Sequence, residues 1–209
     1  MVIRTPDGRA TAIDYREVAP GKAHRDMYLD ENGNVVQERI RYGALAVGVP
    51  GTVAGTLYAL EKYGKLSRED VIQPAVELAE KGWDLQAPLG GEEFKRFESS
   101  NMTFNKPDGS RYEIGEHFVQ KDLAETLRTI IDEGQDGFYK GRVAGQIVAT
   151  MEKHGLFITL EDLERYEPTE REPIIGTYRG YGIVSMPPPS SGGISLVALL
   201  NILERYDIA

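Results

Sequence analysis

Apolar residues recur every three or four positions along most of this chain, and they come in extended runs at its beginning and near its end. The first run is extended. Val2-Ile3-Arg4 and Thr11-Ala12-Ile13-Asp14-Tyr15 flank Pro6-Asp7-Gly8, whose proline and glycine suit a tight turn, so the opening predicts a β-hairpin. Residues 20–47 are mixed and polar, with a second turn at Glu31-Asn32-Gly33-Asn34. Val53, Leu57 and Leu60 then share one face of a predicted helix that Gly64 ends. The next helix is better marked. Ser67 can cap it, Asp70 follows at capping-box spacing, Ile72, Val76 and Ala79 line one face, and Gly82 closes it. Residues 99–118 read as strand-like or irregular around Pro107-Asp108-Gly109. Leu123, Leu127, Ile130 and Ile131 predict a helix stopped at Gly134, and Val143, Ile147, Val148 and Met151 another stopped at Gly155. Thr159 with Asp162 caps a short helix before Pro168.

The last third changes character. Ile174 to Ser185 predicts two strands around a Tyr178-Arg179-Gly180-Tyr181 turn, and Pro187-Pro188-Pro189 a rigid extended segment. Ser190 or Ser191 can cap a final helix built on Ile194, Val197, Leu200, Ile202 and Leu203. The pattern is α+β, with more helix than strand. No repeat of fixed period and no Gly-Ser linker divides residues 1–209, which predicts no internal domain boundary. The chain opens inside a strand and closes at Asp207-Ile208-Ala209, soon after an apolar helix. A lone hairpin and such a helix need further sheet or helix to cover them, so a missing remainder is expected.

Charge and composition narrow the function classes. The net charge is −9, from 33 acidic and 24 basic residues. Phosphate neutralisation needs a basic patch, and Arg39 with Arg41 is a short cluster flanked by acids. Nucleic acid and anionic membrane are therefore not expected partners. No apolar run approaches the roughly 18 residues of a membrane-spanning helix, and Met1 to Pro6 offers no signal-peptide core. The chain has no cysteine, which removes disulfides, thiolate metal sites and cysteine nucleophiles. Its three histidines, His24, His117 and His154, are far apart and signal neither a metal site nor a Ser-His pair.

Four segments carry candidate chemistry. Gly48-Val49-Pro50-Gly51-Thr52-Val53-Ala54-Gly55 precedes a helix but matches no phosphate-loop spacing. Gly51 and Gly55, four apart, suit close packing of a helix N-terminus better than a ligand contact. Met186 to Gly193 ends in hydroxyls and free amides at a helix start. It can be an anion or oxyanion site, or a rigid strand-to-helix elbow with a serine cap. Neither serine has a neighbouring base in sequence, which argues against a nucleophile. Gly137-Phe138-Tyr139-Lys140-Gly141 reads as a structural turn between helices. Asp14-Tyr15-Arg16-Glu17 puts Arg16 where a strand gives way to a loop. Its planar fork suits a carboxylate, although a lone arginine is more often a surface or structural ion pair.

Taken together, the segments resemble γ-glutamyltranspeptidases. The likeness rests on Asp14-Tyr15-Arg16-Glu17-Val18-Ala19-Pro20, Arg25-Asp26-Met27-Tyr28, the Gly48 to Gly55 stretch, and Pro74-Ala75 with Leu78-Ala79. It continues through Phe138-Tyr139-Lys140-Gly141 with Ala144 and Ile147, Tyr178-Arg179-Gly180-Tyr181, and Met186 to Gly193 with Leu200-Asn201-Ile202-Leu203. These motifs run in the family's order over essentially the whole chain.

The resemblance implies an N-terminal-nucleophile hydrolase with an αββα sandwich, made as a zymogen that cleaves itself into a large and a small subunit. The small subunit's new N-terminal threonine attacks the γ-glutamyl amide of glutathione or a related donor, and the acyl group passes to water, an amino acid or a peptide. This sequence is similar to the middle part of the large subunit. It therefore holds no catalytic residue, is expected to be inactive by itself, and has the remaining large subunit and the small subunit as expected partners. Arg16 matches the family position that grips the donor's α-carboxylate. The resemblance implies no metal and no organic cofactor, and a periplasmic or secreted location. The alternatives are a related glutaryl-cephalosporin acylase, a poly-γ-glutamate-processing enzyme, or a non-catalytic remnant that associates with a complementary chain.

Overall fold

The computed structural model describes residues 1–155 and 157–207, so Ile208 and Ala209 of the predicted chain end lie outside the described residues. In chain order the elements are β1 (Val2–Arg4), β2 (Ala10–Asp14), α1 (Gln37–Arg41), α2 (Thr52–Tyr63), α3 (Arg68–Lys81), β3 (Trp83–Asp84), α4 (Glu98–Phe104) and β4 (His117–Phe118). They continue with α5 (Lys121–Glu133), α6 (Asp136–Tyr139), α7 (Gly141–Lys153), α8 (Leu160–Glu164), β5 (Thr169–Arg171), β6 (Ile174–Tyr178), β7 (Tyr181–Ser185) and α9 (Gly192–Leu203). Short 3-10 turns lie at Ala44–Ala46 and Glu92–Arg96. The mixture is α+β with more helix than strand among the described residues.

Two compact units form, one from residues 1–64 with 144–209 and one from residues 65–143. In the first, β2 pairs antiparallel with β1 on one side and with β5 on the other. Ala12 and Ile13 of β2 are fully buried, as is Ala54 of α2, while Leu57 is nearly so. The hairpin β6–β7 closes through Arg179 and Gly180, both at positive φ, the arrangement a two-residue turn needs to match strand twist. Helix α9 packs on this hairpin, with Gly176 leaving room for Val197, and exposes Ile194, Leu196, Leu199 and Ile202.

The second unit is built on α3 and α5. Val76, Ala79 and Ala124 are buried between them, with Ile72, Leu127 and Ile131 packed around. The capping box at Ser67 and Asp70 forms as predicted, with Ser67 Oγ accepting from Asp70 N at 3.0 Å. Trp83 and Phe118, paired across β3–β4, meet edge to face.

Three expectations need correction. Residues 99–118 are not all strand-like or irregular, because Glu98–Phe104 is helical. Its sequence is polar and lacks an apolar stripe. It is held instead by Phe104 against Phe94 and by buried Asn105, which bonds Asn101 and both polar groups of Gly91's backbone. Pro187-Pro188-Pro189 does not run straight. Pro188 and Pro189 form a turn with a cis bond between them, closed by Ser190 N–H donating to Pro187 O at 3.2 Å. The N-cap residue of α9 is Ser191, but its side chain makes no capping bond; Ser190 Oγ accepts from Gly192 N at 3.3 Å instead.

Candidate functional site

The site starts at the edge of β2, where Asp14 ends the strand. Its carboxylate is largely covered and is used twice: Oδ2 accepts from Arg171 Nε at 2.8 Å, and Oδ1 from Arg16 N at 3.1 Å. The second bond is the two-residue side-chain-to-backbone turn that aspartate favours, and it swings the chain out of the sheet. Tyr15 then turns its ring onto α2. A Cβ at Gly55 would overlap that ring, and one at Gly51 would overlap the Tyr15 carbonyl. The glycine-rich segment thus serves close packing, as its spacing predicts.

Arg16 emerges next, with a side chain 56% exposed. Its contacts are long and single: Nε donates to Glu17 Oε1 at 3.3 Å and Nη1 to the Pro189 carbonyl at 3.5 Å. A guanidinium carries five N–H donors, so most of its hydrogen-bonding capacity is uncommitted to protein. The exposed pair with Glu17 is worth about 0.2–1 kcal/mol. A bidentate carboxylate offers the same group about 1.5–3 kcal/mol, enough to compete.

The guanidinium stands in a cleft of about 300 Å³ lined by Asp14, Tyr15, Arg16 and Glu17, with Thr52 of the first turn of α2 and Met186, Pro189 and Ser190 of the elbow before α9. Three of the four segments with candidate chemistry therefore converge here, although Arg16 and Pro189 are 173 residues apart in sequence. The fourth, Gly137 to Gly141, belongs to the second unit, where Tyr139 is buried against Phe138 as a structural anchor.

The backbone of Arg16 is held by a residue that the sequence does not single out. The phenol of Tyr166, two residues beyond α8, donates to the Arg16 carbonyl at 2.8 Å. Helix α8 is itself tied to the same segment. Its capping box forms, and Asp162 Oδ1 accepts from Gly21 N at 2.8 Å. Partial burial pushes the Asp162 carboxyl up, yet the N–H groups of Gly21 and Thr159 and the Thr159 hydroxyl outweigh it and hold the acid below its ordinary range. Among the described residues no group of three or more His, Cys, Asp or Glu side chains could hold a metal ion, and no helix is long and apolar enough to cross a membrane.

Comparison with known proteins identifies the family. The family model described as gamma-glutamyltranspeptidase matches residues 1–209. The glutathione hydrolase proenzyme of Escherichia coli (strain K12) is 47% identical over 215 residues, covering 100% of this chain and 37% of that protein. The acylase ACY 1 proenzyme of Pseudomonas sp. (strain V22) is 38% identical, covering 99% of this chain and 39% of its own length. The crystal structure of Helicobacter pylori gamma-glutamyltranspeptidase superposes with a TM-score of 0.93 at 44% identity, over 100% of this chain and 62% of that one. The chain thus spans well under half the length of the curated relatives it matches, and its fold is that of part of an N-terminal-nucleophile hydrolase. By sequence and by structure alike, it belongs to the γ-glutamyltranspeptidase family.

Proposed function

We propose that residues 1–209 form part of the large subunit of an enzyme that transfers or hydrolyses γ-glutamyl groups, and that Arg16 grips the α-carboxylate of the donor. The observation that carries the reading is the under-committed guanidinium of Arg16, which lines the cleft with only one long bond to Glu17 and one to Pro189. A planar fork matches a carboxylate in two parallel bonds. Glu17, beside Arg16, supplies a negative charge to the same cleft and suits the donor's α-ammonium. The acyl-enzyme chemistry falls to the small subunit's N-terminal threonine, outside this chain, with glutathione or a related donor and water, an amino acid or a peptide as acceptor. The partners of this chain are then the remaining large subunit and the small subunit.

The acylase relative favours a second reading, in which the acyl group is glutaryl. A glutaryl group keeps the carboxylate and lacks the α-ammonium, so Arg16 serves both and Glu17 serves only the first. The test uses the complete protein with Arg16→Ala and Arg16→Lys. KM for a γ-glutamyl anilide should rise by about one to two orders of magnitude for Ala, with self-cleavage intact. A donor amidated at its α-carboxylate should be a poor substrate and nearly indifferent to the change. Equal damage to both donors, or failure to mature, makes Arg16 a structural ion pair and removes this reading. Faster turnover of the glutaryl than of the γ-glutamyl anilide selects the second.

A further inference from the structure

We propose that Tyr166 is a positioning residue for donor binding: its phenol, by holding the Arg16 carbonyl, sets where the guanidinium stands before a donor arrives. The proposal rests on the reading of Arg16 as the carboxylate grip. Arg16 stands in no helix and no strand, so no regular backbone pairing fixes it. Two side chains do so instead. Asp14 Oδ1 takes its N–H at 3.1 Å, and Tyr166 donates to its C=O at 2.8 Å. With both backbone polar groups pinned, the direction of the Cα–Cβ bond is set, and only the side-chain torsions stay free in the exposed arginine. Preorganisation of this kind reduces what binding must order.

The surroundings are shaped for the phenol oxygen in particular. Tyr166 is only 7% exposed. A Cβ on Gly51, the residue that opens α2, would overlap the phenol oxygen and the ring carbon that bears it. The first turn of α2 thus leaves space for an O–H there. Among the described residues the phenol is the only protein donor to the Arg16 carbonyl. Phenylalanine would keep the ring packing and leave that carbonyl without its partner. On the far side, α8 also holds Gly21 through Asp162, so the strip from Arg16 to Gly21 is held at two points, by one short helix and by the tyrosine two residues past it.

The experiment uses the complete, self-cleaved enzyme carrying Tyr166→Phe, Arg16→Ala and both. Tyr166→Phe should raise KM for a γ-glutamyl anilide about three- to tenfold, with kcat changed less than about twofold and maturation intact. In the Arg16→Ala background the same change should have no further effect on KM, because a residue acting through Arg16 has nothing left to act on. An unchanged KM in the single variant overturns the proposal. So does a full additional loss in the double variant, or a Tyr166→Phe protein that fails to mature, since those mark a tyrosine that does not act through Arg16. The two readings fail separately. If Arg16→Ala leaves KM unchanged the grip itself is wrong, whereas if only Tyr166→Phe is silent the grip stands and the positioning role falls.

Discussion

Two arginines, one in each unit, show how the same side chain is committed in different ways. Arg68 opens α3, and its Nε donates to Ile131 O at 2.7 Å while Nη2 reaches Asp132 O at 3.2 Å. Those carbonyls belong to the last turn of α5, which have no partner within the helix and carry the negative end of its dipole. Gly134, at φ +69°, ends α5 there, and a Cβ on it would press on the Arg68 guanidinium. Arg68 is thus spent on structure. Arg16 has one long bond to a neighbouring carboxylate and one to a carbonyl, while its backbone is firmly held. The difference lies in commitment: the Arg68 donors are spent within the fold, whereas Arg16 has a fixed backbone and donors that are mostly uncommitted to protein.

Exchange of the two roles is the sharpest way to test that contrast. Arg16→Ala in the complete protein should raise KM for γ-glutamyl donors by about one to two orders of magnitude while leaving the melting temperature within about 2 °C. Arg68→Ala should do the reverse. Loss of the bonds to α5 should cost about 1–2 kcal/mol, read as a fall of several degrees in Tm, with KM unchanged. If both variants move KM, or both move Tm, the two arginines are not divided in this way.

Two weaker effects come from titration. The Asp162 carboxyl is held below its ordinary value in the fold, so it contributes stability at neutral pH that is lost as pH falls below about 4 and through the folded value. Asp162→Asn should flatten that part of the acid unfolding curve, and an unchanged curve would remove Asp162 as an anchor of the Arg16 segment. The smallest effect belongs to His117 in the second unit. Its Nδ1 faces Asp84 Oδ1 at 2.9 Å and its Nε2 the Lys81 carbonyl at 2.7 Å. Both partners are acceptors, so both are satisfied together only by the imidazolium, and the bonds to Asp84 and then Lys81 hold the pKa above its ordinary value. Its contribution is complete below about pH 6.5 and is lost as pH rises through the folded value. An NMR titration of the ring should show the raised value, and His117→Gln should remove the corresponding slope in stability. A ring that titrates at or below the free value would break the assignment.

The elements readable in advance are those whose signals lie a few residues apart. Ser67 with Asp70 and Thr159 with Asp162 form the capping boxes their spacing announces, and Tyr178-Arg179-Gly180-Tyr181 forms its turn, because each motif closes a bond within its own turn. Helix α4 was not legible, since Asn105 and Phe94 stabilise it from outside and its own residues carry no apolar period. Consecutive prolines usually favour an extended helix, but here the run turns and Ser190 N–H bonds back to the Pro187 carbonyl.

The candidate site divides along the same line. The sequence alone determined that an arginine, whose planar fork can match a carboxylate, follows β2, that glycines four apart permit close packing at the head of α2, and that the ordered motifs are those of one family. Only the tertiary structure decided that Pro189 and Ser190 line the cleft of Arg16, that Asp14 and Tyr166 pin its backbone, and that Arg68 is consumed by a helix end. The reason is physical. Residue type and short spacing fix what a group can do, whereas the share of its donors left free depends on partners up to 173 residues away, which only packing brings within hydrogen-bond reach.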